Sequence, residues 1–256
     1  MKNVVLSNED FQDFPIGEFP YDKDHTAMGE YQYVVENGYH GNWVDMVCNY
    51  TYNGTGPTWL ITERDGRHFM ESMRIEKNRP HRMFPTLETG KHQWKDYEVS
   101  VSVRRLSQKG MAGLVFSMNH SIDTLVFYLD GKDKAAVAYR HKEEVHVLKE
   151  VAFPHGCDQE YRLKVDCDGR IAKVYVDDQE LFQVEDDLVA RGGKVGITAD
   201  CPSRFADFKV CVSEKTKQEI DVAELAVKET ETEEMKKHPK MKLWKKIDLK
   251  NFGTSR

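Results

Sequence analysis

No stretch of this 256-residue chain approaches the roughly 20 consecutive apolar residues that a membrane helix needs, so no membrane span is expected. The first ten residues carry no apolar leader, so no targeting segment is expected in the chain as it stands. Such a chain is expected to be soluble, in a compartment left undetermined, extracellular or periplasmic if a leader has been removed. Cysteine is scarce: five residues, an odd number with no Cys-x-x-Cys pair, argue against a disulfide scaffold and a structural zinc site. Positive charge is not in excess, and a net −6 disfavours a global nucleic-acid role. Gly-x-Ser-x-Gly, His-Glu-x-x-His and a phosphate loop are all missing.

What is present reads as strands. From about residue 29 to 213, apolar residues alternate with polar ones, the mark of half-buried strands. Tyr97, Val99, Val101 and Val103 alternate with Glu98, Ser100, Ser102 and Arg104, and Tyr161, Leu163 and Val165 repeat the pattern. Leu125, Phe127 and Leu129 interleave with Val126 and Tyr128, so that strand is apolar on both faces and is expected to be central. Asp65-Gly66, Asp130-Gly131, Asp168-Gly169 and Gly192-Gly193 punctuate the runs, and Asp-Gly favours tight hairpins. The expectation is an all-β chain, an antiparallel sandwich or barrel, over residues 1–213.

Residues 214–256 differ. They carry a net +2 against −8 for residues 1–213. Good helix formers over 214–237, with Ile220, Ala223, Leu225 and Val227 as a thin apolar set, predict a surface helix or linker ending at His238-Pro239. Asp186 to Ala190 predicts one further helical turn at most. The closing segment is either an extension that packs back on the sandwich or the start of a further domain.

Several phrases resemble the concanavalin A-like lectin/glucanase sandwich, the LamG and 3-keto-disaccharide hydrolase branch included. They are residues 8–11 (Asn-Glu-Asp-Phe), 94–99 (Trp-Lys-Asp-Tyr-Glu-Val) and 111–116 (Met-Ala-Gly-Leu-Val-Phe), then 161–177, 193–197 and 205–210. The resemblance covers about residues 8–213 and implies a jelly-roll sandwich whose relatives bind or cleave sugars. Residues 243–256 also resemble the lead-in to the propeller of rhamnogalacturonan-lyase-like proteins, which would make this chain an N-terminal domain. The resemblance further implies a structural Ca²⁺ tying the first and last strands, with Asp207 as the C-terminal ligand and Glu9 or Asp10 from the N-terminal side.

The hydrolase branch carries Glu-x-Asp-x-(x)-Glu on one strand; no such string occurs here. His141 and His146 bracket an expected turn at Glu143-Glu144, as a cross-strand metal pair or as exposed hairpin histidines. The basic segment 59–92 runs against the acidic body. Trp59, Arg67, His68, Arg74, Arg79, His81 and Arg82 make the mix that grips acidic sugars, by bidentate guanidinium bonds and aromatic faces. The alternative is a polar hairpin whose arginines pair with neighbouring Glu. Tyr128, Tyr139 and Arg140 are expected to extend the same concave face. The expected function is a carbohydrate-binding module for an acidic polysaccharide, accessory to a following lyase or glycoside hydrolase domain. The alternatives are a catalytic lyase or hydrolase domain using an Arg/His/Tyr site, and a purely structural sandwich.

Overall fold

Alternation at period 2 turns each strand into two unlike faces, and burying the apolar faces against one another generates two packed sheets. The computed structural model describes residues 1–18, 43–45, 59–73, 85–120, 123–131, 133–142 and 144–237. In chain order come β1 (Val4–Glu9), β2 (Gly17–Glu18), β3 (Val44–Asp45), β4 (Trp59–Arg64), β5 (Arg67–Ser72) and β6 (Thr86–Thr89). Long strands follow: β7 (Glu98–Arg105), β8 (Met111–His120), β9 (Asp123–Asp130), β10 (Lys134–His141) and β11 (Glu144–Ala152). The body closes with β12 (Glu160–Asp168), β13 (Ile171–Val176), β14 (Gln179–Glu185), α1 (Asp187–Ala190), β15 (Lys194–Ala199), β16 (Ser203–Val212) and α2 (Glu214–Lys237).

Among the described residues, one sheet has nine strands in the order β14-β13-β12-β7-β16-β5-β4-β2, with β1 pairing β16. The other has seven, in the order β11-β10-β9-β8-β15-β6-β3. Every described pairing is antiparallel. The chain is an all-β sandwich with a C-terminal helix.

The inward faces make one core. Val99, Val101 and Val103 from β7 and Leu163 and Val165 from β12 bury with Leu114 and Phe116 from β8 and Leu125, Phe127 and Leu129 from β9. Each such side chain contributes roughly 1.5–3 kcal/mol when fully buried. The doubly apolar strand is central as expected: β9 lies between β8 and β10. Its second face carries Val126, which clusters with Met111 and Tyr128 apart from the main core. Asp65 and Gly66 both take positive φ (54° and 75°), closing β4 and β5 with the two-residue turn that Asp-Gly favours. Ser213 caps α2 by accepting the Thr216 N–H at 3.1 Å, and Ile220 anchors the helix at 1% exposure. Lys95–Glu219 and Lys91–Glu224 pairs tie its first half to the loop before β7, while Leu225 and Val227 are exposed, as a surface helix requires. No helix among the described residues is long and apolar enough to cross a membrane.

Candidate functional site

The basic segment expected to form one surface is divided by the sandwich. Trp59 and Ile61 occupy the inward positions of β4, so Trp59 is a core side chain, 1% exposed, with its ring 6.0 Å from that of Phe205. That corrects its expected role, because a ring with both faces packed offers no surface to a sugar. Arg67 points outward from β5, over the Phe69 ring at 5.0 Å. Its guanidinium reaches both Glu160 oxygens at 3.3 Å and also bonds Asp207. His68 donates from Nδ1 to the Phe11 carbonyl at 3.3 Å, a carbonyl having no proton to give. Arg74, Arg79, His81 and Arg82 lie outside the described residues.

Tyr128 and Arg140 stand on the outer face of the seven-stranded sheet, not with Arg67 on the nine-stranded one. Arg140 pairs with Thr124, which puts Tyr128 four residues farther along β9, about 13 Å at strand rise. Arg140 is 2% exposed, and burial pulls its pKa down to about 10. Burial pushes Tyr128 up to about 12. The expectation of a single concave face shared by Arg67 and Arg140 is therefore corrected: outward positions on two different sheets cannot meet across a packed core.

The carboxylates expected to hold Ca²⁺ are engaged with the protein. Glu9 accepts the Phe11 N–H at 2.9 Å, and its pKa is raised by burial above all. Asp10 accepts the Gln12 N–H at 3.0 Å. Asp207 bonds Arg67 and accepts from Ser102 at 3.2 Å. Among the described residues, no group of three or more His, Cys, Asp or Glu side chains is placed to hold a metal ion. These residues do not fit a calcium cage as arranged; Arg67 supplies the positive charge beside Asp207.

A different constellation forms at one end of the seven-stranded sheet, where the β8–β9 and β10–β11 hairpins turn. Pairing aligns His120, Asp123, His141 and Glu144 in one row across four strands. β8 is irregular just before this row, between Phe116 and His120, with Ser117 at φ 47°. The Ser117 N–H bonds the buried Tyr97 hydroxyl at 2.7 Å, and its carbonyl accepts from Arg191 at 3.1 and 2.7 Å. Arg191 stands at the C-cap of α1, a turn capped by Asp186, whose side chain accepts the Leu188 N–H. Gly193 has φ 124°, and a Cβ there would lie 2.3 Å from the Met118 carbonyl oxygen, so only glycine lets this connection close on β8.

From that position Arg191 grips Asp123 with Nη1 at 2.9 and 3.0 Å. Asp123 also accepts from Asn119 at 3.1 Å and from the Tyr139 hydroxyl at 2.9 Å. Partial burial opposes its ionisation, but the bonds from Arg191, Asn119 and Tyr139 outweigh that and hold its pKa below the ordinary value. Burial and the bond to Asp123 raise the Tyr139 pKa, keeping its proton in place. The Tyr139 oxygen lies 2.9 Å from Nδ1 of His141. The Tyr139 ring is 5.6 Å from that of His141 at 34° and 6.4 Å from that of His146 at 29°. His146 sits opposite Tyr139, with Nε2 3.0 Å from a Glu144 carboxylate oxygen.

The two histidines weighed as a metal pair are thus members of a ring ladder, with Tyr139 between them. Both are exposed and Tyr139 is partly so. Tyr139 and His141 share a face by spacing alone, a signal open to sequence reading. Asp123 and Arg191 carried no signal, being 68 residues apart. The exposed outer imidazoles, with fixed polar groups beside them, suit a ligand with flat apolar faces and many hydroxyls.

No protein-family model matches the chain, and no curated protein does. Solved structures share its fold. The carbohydrate-binding module CBM66 from Bacillus subtilis aligns with TM-score 0.52 at 15% identity, over 66% of this chain and 94% of that one. A protein of unknown function with a galectin-like fold, also from Bacillus subtilis, aligns with TM-score 0.54 at 12% identity, over 84% and 99%. The GH43 protein BlXynB from Bacillus licheniformis aligns with TM-score 0.52 at 16% identity, over 83% of this chain and 40% of that one. At these identities the likeness is one of fold.

Proposed function

We propose that this chain is a carbohydrate-binding β-sandwich module for an acidic polysaccharide, accessory to a lyase or glycoside hydrolase domain. The observation that carries the reading is the ladder of exposed His141 and His146 with half-buried Tyr139 between them, braced on one side by the Asp123–Arg191 pair. Pyranose rings have apolar faces that lie on such rings, and fixed polar groups at the edge orient their hydroxyls. Fold neighbours that include a carbohydrate-binding module support a sugar ligand. Arg191 and the exposed imidazoles of His141 and His146 are the cationic or basic groups of this surface and favour an acidic one.

Calorimetric titration with polygalacturonate and with a neutral galactan tests the reading. Wild-type protein is expected to bind the first, and Tyr139→Ala to lose at least tenfold in affinity while keeping its fold. Failure of the wild type to bind either glycan overturns the proposal. Ultraviolet absorbance of unsaturated ends in the same mixtures would instead establish a lyase.

A further inference from the structure

Resting on the sugar-binding reading, we infer that an acidic sugar binds at His141 Nε2 and that its binding takes up a proton. Asp123, ionised against Arg191, has no proton to give and accepts from Tyr139. The single Tyr139 proton is therefore committed to Asp123, and the Tyr139 oxygen accepts from Nδ1–H of His141. That fixes the His141 tautomer, and the nitrogen left for a ligand is Nε2, on an exposed ring. His146 is not equivalent, because its Nε2 already faces Glu144 at 3.0 Å.

Neutral Nε2 offers a lone pair, which suits a sugar hydroxyl. A carboxylate has no proton to share with that lone pair, so the two would repel. Once Nε2 gains a proton it becomes a charged donor, matched to a uronate oxygen. The titratable and charged groups around His141 are Asp123 from β9, His120 beyond it in the same row on β8, Tyr139 on its own strand, Lys142 next in the chain, Glu144 and His146 from β11, and Arg191 at the C-cap of α1. Asp123 is held by Arg191 and Glu144 is directed at His146, so the carboxylate that pairs with protonated His141 comes from the ligand.

The test is calorimetry with trigalacturonate as probe and galactotriose as its neutral counterpart, in buffers of different ionisation enthalpy near neutral pH. With trigalacturonate, the apparent enthalpy should change with buffer, reporting uptake of up to one proton, and affinity should fall by at most about tenfold per pH unit. Galactotriose should show neither effect. His141→Phe keeps a ring in the ladder and removes the nitrogen; it should bind trigalacturonate more weakly, with no buffer or pH dependence. His141→Gln should behave alike, which guards against a packing fault in the first variant. Binding of trigalacturonate by the wild type without proton uptake overturns the inference and leaves the module reading standing. Uptake that survives in both variants also overturns it. Absence of binding to either sugar overturns both readings.

Discussion

Two Arg–Asp pairs brace the two sheets, and they do opposite things. Arg67 on the nine-stranded sheet is shared by Asp207 and Glu160, so one cation meets two anions and the network is closed upon itself. Arg191 meets one carboxylate and two backbone carbonyls, those of Ser117 and Asp123. Asp123 has acceptor capacity to spare, which it uses to hold Tyr139 and, through Tyr139, His141. The first pair ends in structure. The second ends in an exposed nitrogen. An arginine cluster read from composition does not reveal which kind it is; the count of carboxylates around each guanidinium does.

That contrast can be broken by substitution. The largest effect is expected from Arg191→Ala. It leaves Asp123 partly buried without its cation and takes the guanidinium donor from two carbonyls, costing about 2–3 kcal/mol in urea unfolding and abolishing glycan binding. Tyr139→Phe comes next: it keeps the ring but cuts the relay, so affinity for an acidic glycan should fall a few-fold with little change in unfolding midpoint. Arg67→Ala should cost at most about 1 kcal/mol, since its side chain and that of Asp207 are both more than a third exposed, and should leave glycan affinity unchanged. A loss of binding in Arg67→Ala equal to that in Tyr139→Phe would erase the distinction between the two networks.

The smallest effect concerns a histidine of the opposite kind. His155 donates Nδ1–H to the Phe153 carbonyl at 2.7 Å, lies between the Phe153 and Tyr161 rings, and has a buried Nε2 with no hydrogen-bond partner among the described residues. Burial first, then the positive charge of Arg105, lower its pKa against the raising effects of the Phe153 carbonyl, Asp133 and Asp130. The folded state therefore resists protonation more than the unfolded chain does. Stability should be full above the unfolded-state pKa and decline as pH falls through it towards the folded value. Thermal unfolding should show this slight acid loss, and His155→Phe should remove it without touching the proton uptake assigned to His141.

Much of the sandwich was legible. Period-2 alternation predicted β7 and β12, the doubly apolar run predicted a central β9, and Asp65-Gly66 predicted a tight hairpin, because these depend on neighbours one or two residues away. The helix over 214–237 was equally local. The site was less so. Tyr139 and His141 share a face by strand spacing, but Asp123 and Arg191 meet only because α1 returns the chain to the irregular stretch of β8. Trp59 reads as a sugar platform by composition and proves to be core, since its direction depends on which face of β4 the second sheet covers.

The sequence by itself determined the strands, their turns and the apolar faces that must be buried, for these follow from local backbone geometry and the cost of wetting hydrocarbon. Only the tertiary structure decided which charged groups meet. Arg67 and Arg140 went to different sheets, and Arg191 was brought to Asp123, because ion pairs form between neighbours in space and sheet order makes neighbours of residues far apart in the chain.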